Sequence, residues 1–311
     1  MCGIGGIYHP EGSKPIPAHL AFAGWCALED RGTHASGMAL RWTGSDKDVI
    51  YKAEGAASSK NFLAYFNKNY GSGKNVRYVM FHTRYTTQGS AEKNGNNHPV
   101  VGHGINLTHN GVLWSESSVF TRLGVTRLHD VDTEAINAAL SRKSPGWALD
   151  NITGSMSVAW TDRRDTSETV NLMTNGGNPL VIGRTKSGAI VWASTENHLS
   201  HLDMDTWFNA TPFKHYTISA DGTIRSEFVS KQRKMSNRQL RHASSFGGQG
   251  FGYSGSKSRS KAAKSSRAAR TTKKKKASLK PRWITLDADE WEYLERYEMY
   301  VKKNGAWKEV Q

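Results

Sequence analysis

The positive charge of this 311-residue chain is concentrated in one segment, and this confines any folded core to the rest of the sequence. The whole chain has 42 Lys and Arg against 27 Asp and Glu. Residues 231–282 hold 17 of the basic residues and no acidic one, and Ser and Gly are frequent there. Such a segment buries too little apolar surface to offset the entropy lost on ordering. We therefore predict a folded domain at 1–228 and a disordered basic linker at 229–282.

The last segment, 283–311, is predicted to form a short aromatic helix. Asp287 and Glu290 have the spacing of a capping box. Helical spacing also relates four apolar residues, Trp291, Leu294, Tyr297 and Val301. Gly305 is expected to end the helix.

Within 1–228, short apolar runs alternate with turn signals, which predicts strands. These runs are Val76–Phe81, Ile105–Thr108, Ser155–Trp160, Val170–Met173, Leu180–Ile182 and Ala189–Ala193. Helical periodicity predicts helices at Ala18–Arg31 and Asp132–Ser141. Asn175–Asn178 lies between two predicted strands and predicts a hairpin turn. A mixed fold of strands and helices follows.

Composition also narrows the protein class. No stretch reaches the roughly 18 apolar residues that a membrane span needs. The N-terminus lacks the basic start and apolar run of a signal peptide, so we predict a cytoplasmic protein without membrane association. Cys2 and Cys26 are the two cysteines, and their spacing is not that of metal ligands or of a disulfide framework.

Cys2 is the first candidate for chemistry. A small second residue favours removal of Met1, which leaves Cys2 with a free α-amino group. That amine has a pKa of about 8 and the thiol one of about 8.5, so the amine can take the thiol proton. The residue would then be an N-terminal nucleophile that needs no separate base. The alternative is a thiol that only packs in the core or carries a lipid.

Two arginines lie in polar segments that follow apolar runs. Arg31 begins the segment Arg31–Gly37, and Arg84 lies in Phe81–Gly89 at the end of a predicted strand. A buried arginine at a strand end can bind a carboxylate through two parallel hydrogen bonds. The alternative for Arg31 is a turn with a buried or capping arginine, and the alternative for Arg84 is a structural salt bridge.

Two further segments carry donors and a carboxylate. Asn110 and Gly111 follow Thr108 and His109, and an Asn amide beside a glycine N–H supplies two donors for an oxyanion. In isolation, Asn-Gly also predicts a hairpin turn. Asp132 could pair with a substrate ammonium group or could cap a helix.

The order and spacing of these segments resemble the class II glutamine amidotransferase domain, the N-terminal-nucleophile (Ntn) glutaminase module of glucosamine-6-phosphate synthase and amidophosphoribosyltransferase. The motifs are Met-Cys-Gly-Ile, Arg-Gly-x-x-x-Ser-Gly, His-Thr-Arg-Tyr-x-Thr-x-Gly, Asn-x-His-Pro, His-Asn-Gly and Asp-Thr-Glu. The resemblance covers residues 2 to about 225. It implies an α+β fold, a four-layer αββα sandwich of two antiparallel sheets.

The resemblance also implies the residue roles. Cys2 would attack the glutamine carboxamide and form a glutamyl thioester, while the Asn110 side chain and the Gly111 N–H stabilise the oxyanion. Arg84 would bind the substrate α-carboxylate and Asp132 its α-ammonium, and Arg31 would support the nucleophile. The remaining pocket residues would be Tyr85, Thr87, Gln88 and Gly89. Neither a metal nor a cofactor is implied.

The sequence departs from the family at His34, where Asp is usual, and at Gln88, where His is common. Residues 229–311 are too few for an ammonia-acceptor domain of either enzyme, which predicts an acceptor on a separate synthase protein. Two alternatives stay open: a nucleic-acid-associated protein that binds phosphates through residues 229–282, and an Ntn amidase for another γ-glutamyl substrate.

Overall fold

The computed structural model describes residues 1–73, 75–230, 301–303 and 306–308. The predicted basic linker therefore lies outside the described residues, apart from its first two positions, and so does the predicted helix up to residue 300. In the described parts of the chain, no helix is both long and apolar enough to span a bilayer.

Most of the main body, in its described residues, is antiparallel β-structure. Its strands in chain order are β1 (Gly3–Tyr8), β2 (Ala35–Trp42), β3 (Val49–Glu54), β4 (Val76–Arg84), β5 (Val100–Gly102), β6 (Ile105–Leu113), β7 (Gly154–Asp162), β8 (Val170–Thr174), β9 (Val181–Thr185), β10 (Ile190–Ala193), β11 (Met204–Asn209), β12 (Lys214–Ile218) and β13 (Ile224–Phe228).

These strands form two sheets. The first has the order β11-β9-β10-β1-β4-β2-β3, and the second has the order β13-β12-β8-β7-β6-β5. All of the pairings are antiparallel. The N-terminal strand β1 thus lies inside the first sheet, between β10 and β4.

Helices cover the outer faces of both sheets. They are α1 (Ala18–Ala27), α2 (Lys60–Tyr70), α3 (Glu116–Leu123), α4 (Glu134–Arg142) and α5 (Pro145–Asn151). Apolar residues of α1 and α2 pack with the first sheet, and those of α3, α4 and α5 pack with the second. A third apolar cluster, which includes Ile4 and Trp192, fills the space between the sheets. The predicted αββα sandwich is therefore confirmed.

Side-chain alternation along β1 explains how the sequence builds two of these layers. Successive strand residues point to opposite faces, and Ile4 and Tyr8 belong to the cluster between the sheets while Ile7 belongs to the helix-covered cluster. Gly6 faces the sheet interface, where the indole of Trp192 occupies the space of a Cβ, 2.1 Å from its ideal position.

A buried polar cluster ties the two sheets together at the end away from Cys2. Asp48 accepts from Arg41 Nε at 2.6 Å and from the Tyr78 hydroxyl at 2.5 Å, both on the first sheet. It also accepts from the Asn106 amide and, at 3.4 Å, from the Thr161 hydroxyl, both on the second sheet. The carboxylate is almost fully buried, so these donors replace its lost hydration.

The two predicted helices are confirmed with shifted bounds. The chain at Ala18–Arg31 forms α1 and then a 3₁₀ turn, Leu28–Arg31. The carbonyl of Leu28 in this turn accepts a hydrogen bond from the Thr83 hydroxyl at 2.6 Å. The helix predicted at Asp132–Ser141 is α4, which begins two residues later.

Two local predictions were wrong. Asn175–Asn178 does not close a hairpin, because β8 belongs to the second sheet and β9 to the first, and the segment crosses between them. The Asn175 side chain instead stabilises the crossing segment, because its Oδ1 accepts hydrogen bonds from the N–H groups of Met156 and Gly177 at 3.0 Å each. At the C-terminus, Val301–Lys303 pairs with Ala306–Lys308 as two strands, β14 and β15, so Val301 is not the last turn of a helix.

Candidate active site

Seven of the ten predicted site residues line one small cleft at the open end of the sandwich. They are Cys2, Arg84, Tyr85, Thr87, Gln88, Gly111 and Asp132. The other three contact this cleft's wall or lie just behind it: Arg31, Gly89 and Asn110. Four further residues complete the lining, namely His98, His109, Val131 and Thr133.

Cys2 lies at the start of β1, directly before the residue that pairs with Thr83 on β4. Its side chain is buried, and Sγ donates to the carbonyl of Tyr85 at 3.5 Å. Burial raises the pKa of the thiol; the nearby N-terminal ammonium and the Arg84 guanidinium oppose this more weakly. The group is therefore a neutral thiol at pH 7 while Met1 is attached.

The burial of Cys2 predicts a pH dependence for its alkylation. An acid whose pKa is raised forms thiolate only at higher pH, and the thiolate is the species that reacts. With Met1 retained, the rate of Cys2 alkylation by iodoacetamide is expected to keep rising beyond pH 9. The rate is measured by mass spectrometry of the peptide that contains Cys2. A plateau already reached below pH 8 would contradict the assigned environment.

Arg31 holds the backbone of the candidate nucleophile. Its Nε donates to the carbonyl oxygen of Cys2 at 2.8 Å, and its Nη2 lies 3.7 Å from the sulfur of Met1. The 3₁₀ turn Leu28–Arg31 places the guanidinium there. Arg31 therefore fixes the main chain at position 2 and does not line the cleft itself.

Gly111 lies inside β6, so the Asn-Gly pair is strand and not the hairpin turn that was the alternative prediction. Antiparallel strands alternate the side to which their backbone groups point. The carbonyl of His109 accepts from His82 on the side away from β7, and the N–H of Leu113 donates to Asp132 on the same side. The Gly111 N–H, which lies between them in register, points to this side as well.

Close packing makes glycine necessary at position 111. A Cβ there would lie 1.9 Å from the carbonyl oxygen of Ser155 and 2.5 Å from Nε2 of His109. Both distances are far below a van der Waals contact. Only a residue without a side chain lets β6 approach the cleft in this way.

Asn110 points to the opposite face of β6, toward the space between the sheets. It is fully buried, and within the described residues neither its Oδ1 nor its Nδ2 has a hydrogen-bond partner. A buried amide without partners costs about 1–3 kcal/mol of stability. Alternation along β1 places Cys2 on the same face as Ile4, which belongs to the cluster between the sheets. Asn110 and Cys2 therefore both face the layer between the two sheets.

Arg84 shapes the loop that follows β4. Its Nη2 donates to the carbonyls of Gln88 at 2.5 Å and Gly89 at 3.0 Å. Its Nη1 donates to Oδ1 of Asn97 at 2.8 Å. The arginine thus folds residues 85–89 around the cleft and also contributes a positive charge to the cleft wall.

His34 and Gln88, the two positions where the sequence differs from the pattern of the family that it resembles, both contact neighbouring segments. The His34 ring stacks on Tyr85 with centroids 4.9 Å apart, and its Nδ1 accepts from the N–H of Thr86 at 3.0 Å. Gln88 donates from Nε2 to Glu116 in the first turn of α3, at 3.1 Å. Both contacts brace the loop that forms one side of the cleft.

Asp132 lies on the opposite wall, two residues before α4. Its Oδ2 accepts from the N–H of Leu113 at 2.7 Å and its Oδ1 from that of Thr133 at 2.8 Å. The carboxylate is buried and belongs to the cleft lining. Its bond to Leu113 joins the loop to β6.

The sequence predicted no catalytic or binding role for three polar residues of the cleft, His98, His109 and Thr133. Each lies within a quoted motif, so their positions were available but their burial was not. The Thr133 Oγ1 lies 3.0 Å from Nε2 of His98 and 2.9 Å from Nδ1 of His109. Burial lowers the pKa of both imidazoles, so both are neutral at pH 7.

Metal ligation has no counterpart among the residues that the structure describes, because no three His, Cys, Asp or Glu side chains there are grouped as ligands. What the cleft does contain is a thiol, a backbone donor, a cation and a carboxylate. These are the groups of nucleophilic acyl chemistry on a zwitterionic substrate.

Comparison with known proteins relates the chain to enzymes that act on glutamine. It is 29% identical over 199 residues to the glutamine–fructose-6-phosphate aminotransferase (isomerizing) of Buchnera aphidicola subsp. Baizongia pistaciae, a match that covers 60% of this chain and 31% of the relative. The enzyme of the same name from Xylella fastidiosa strain 9a5c is 31% identical over 144 residues, or 44% of this chain and 21% of the relative. The matches thus span about a third or less of these relatives. No protein-family model matches the sequence.

Solved structures share the fold. A glutamine phosphoribosylpyrophosphate amidotransferase from B. subtilis, complexed with ADP and GMP, superposes with a TM-score of 0.58 at 21% identity, over 74% of this chain and 50% of that one. A structure described as the allosteric regulatory enzyme of purine biosynthesis gives 0.58 at 20% identity, over 74% and 49%. Together with the curated relatives, they confirm the resemblance to class II glutamine amidotransferases and the Ntn-hydrolase sandwich.

Proposed function

We propose that this chain, which has the class II glutamine amidotransferase fold, hydrolyses the side-chain amide of glutamine with Cys2 as nucleophile. The observation that carries the proposal is the single cleft in which the Cys2 thiol meets Gly111, Arg84 and Asp132. These residues come from four separate segments of the chain.

The chemistry proceeds in two steps. Once Met1 is removed, the α-amine of Cys2 takes the thiol proton and Sγ attacks the carboxamide carbon. The carbonyl oxygen becomes an oxyanion, which the Gly111 N–H and the Asn110 amide stabilise. As the C–N bond breaks, the amine returns its proton to the leaving nitrogen and ammonia departs. Water then adds to the thioester, releases glutamate and restores the thiol.

The opposite charges on the two cleft walls match the charged α-carboxylate and α-ammonium groups of a free amino acid. Arg84 offers a cation for the α-carboxylate, and Asp132 offers an anion for the α-ammonium group. The terminal nitrogens of Arg84 also donate to the loop carbonyls, so a bound carboxylate would share these donors. Loop and substrate therefore depend on the same guanidinium, and loss of Arg84 should raise KM strongly.

The ammonia is proposed to pass to an acceptor bound outside residues 1–230, on a separate synthase protein. Among the described residues, one cleft brings together the groups that acyl chemistry would need. The matching relatives extend well beyond the aligned region. Their printed names associate fructose 6-phosphate with one relative and phosphoribosylpyrophosphate with a structural neighbour.

Hydrolysis of three amides tests the proposed substrate. Mature protein is expected to release glutamate and ammonia from L-glutamine, and much less product from L-asparagine, which is one methylene shorter. Glutaramate, which is glutamine without its α-amine, should react with a raised KM because Asp132 loses its partner. Release of ammonia is measured by a coupled assay. Equal rates on glutaramate and glutamine, or a preference for another γ-glutamyl amide, would contradict the assignment of the head-group site.

A further inference from the structure

We propose that the hydroxyl of Thr133 is a positioning group that couples the two ends of the glutamine site, through a directed hydrogen-bond chain from His98 to Ser155. The inference rests on the proposed function of the cleft. The hydrogen-bond chain would fix the position of the Asp132 carboxylate relative to the backbone N–H of Gly111.

The direction of the chain follows from which atoms can donate. The carbonyl of Ser155 can only accept, so His109 Nε2, 3.2 Å away, must carry the proton. In a neutral imidazole the other nitrogen is then an acceptor. His109 Nδ1 therefore accepts from the Thr133 hydroxyl at 2.9 Å.

The Thr133 hydroxyl has a single proton, which points to His109 Nδ1 at 2.9 Å rather than to the longer 3.4 Å contact with Asp132 Oδ1, so Thr133 cannot also donate to His98. The 3.0 Å contact between His98 Nε2 and Thr133 Oγ1 must be a bond that His98 donates. The order is thus His98 to Thr133 to His109 to Ser155. Thr133 is almost fully buried, so water does not compete for these bonds.

The neighbours of each member connect the chain to both ends of the site. Thr133 is directly bonded to Asp132, and its N–H donates to that carboxylate at 2.8 Å. At the other end, the ring of His109 and the carbonyl of Ser155 occupy the space where a Cβ of Gly111 would be. A displacement of the His109 ring therefore changes the backbone at Gly111, while a displacement of Thr133 changes Asp132.

The first member is fixed from the opposite sheet. The ring of His98 stacks on that of His82, with centroids 4.0 Å apart, and His82 Nε2 donates to the carbonyl of His109 at 3.0 Å. Lys52 supports the same loop, because its ammonium donates to the carbonyls of Asn97 at 2.7 Å and Pro99 at 3.0 Å. The hydroxyl of Thr133 is thus the point where its own segment contacts the segments of His98 and His109.

Two reagents that reach Cys2 by different routes test the proposal. The diazoketone analogue of glutamine, 6-diazo-5-oxo-L-norleucine, needs the head-group site and the carbonyl site in register; its diazo carbon takes a proton, forms a bond to Sγ and loses N₂. Iodoacetamide needs only an accessible thiolate. Labelling of the full chain at Cys2 is followed by mass spectrometry, which separates it from Cys26.

Thr133→Val is expected to slow labelling by the diazoketone by between about 10- and 100-fold, the range that misplaced reacting groups cause. Labelling by iodoacetamide should stay within about 2-fold of wild type, since the thiol itself is unchanged. Thr133→Ser keeps the hydroxyl and should restore the diazoketone rate. Thr161→Val is the matched control, because this equally buried threonine bonds Asp48 at the far end of the sandwich.

Each outcome bears on one proposal. If wild type does not react with the diazoketone, the proposed function fails and not the coupling. If wild type reacts and Thr133→Val reacts equally fast, the coupling is wrong. It is also wrong if Thr133→Ser is as slow as Thr133→Val, or if both reagents slow together with a fall in the unfolding midpoint, because the residue would then only support the fold.

Discussion

Replacing Cys2 with alanine is expected to reduce glutamine hydrolysis to the background rate. The thiol is the cleft's only sulfur nucleophile among the described residues, because Cys26 lies in α1 and packs against the helix-covered core of the first sheet. Without Sγ no thioester can form, and the oxyanion donors have no adduct to stabilise. The measurement is steady-state release of glutamate, with thioester formation followed by mass spectrometry.

Two controls make the Cys2 result specific. Cys26→Ala removes the other thiol, whose pKa burial raises well above its ordinary value, and should keep the wild-type rate. A Cys2→Ser variant retains the shape of the side chain and should bind glutamine without turnover. Glutamate release by Cys2→Ala at more than background would place the nucleophile elsewhere and would remove the basis of the proposed mechanism.

Replacing Asn110 with alanine is expected to lower kcat by about 10²–10³-fold, the usual effect of losing one oxyanion-hole donor. KM should change little, because the donor acts on charge that develops only in the transition state. The amide is buried without a partner in the described residues, so its removal costs no hydrogen bond in the resting protein. Stability should therefore stay near that of wild type, or rise.

Asn106 offers the matched comparison for Asn110. It is another fully buried asparagine, four residues earlier on β6 and on the same face, but its amide donates to Asp48. Asn106→Ala should lower the unfolding midpoint and leave kcat within a few-fold of wild type. The pair is measured by thermal unfolding and by steady-state kinetics. If Asn110→Ala lost stability and kept kcat instead, its amide would have a structural role.

Several parts of the fold could be predicted from sequence because local pattern and final position coincide. The strand runs near Val76, Ile105 and Ser155 alternate or remain apolar as buried strands do, and each became a central strand. The prediction of four layers came from the resemblance to the amidotransferase family, because hydrophobic periodicity does not show which strands share a sheet. The supposed hairpin at Asn175–Asn178 shows this limit: the turn residues are real, but the flanking strands belong to different sheets.

The candidate site could be predicted as a set of residues but not as a geometry. Local motifs identified Cys2, Arg84 and Asp132, which the structure brings to one cleft. The burial of Thr133 and its two imidazole partners depends on contacts between segments 24 and 35 residues apart. No local pattern encodes such contacts, so the sequence could not show that the Thr133 hydroxyl lies between two imidazoles.

The place of β1 in the first sheet has a consequence for when the site can assemble during synthesis. Strand β1 needs β10 on one side, and Ile4 exchanges hydrogen bonds with Ser194, which lies 190 residues later in the chain. At typical elongation rates, roughly 10–40 s pass between synthesis of these two residues. During that interval the first strand has no permanent neighbour on one edge, so Cys2, the proposed nucleophile, lies next to an unfinished sheet. The order of translation would thus delay the proposed activity until almost all of residues 1–228 have been synthesised.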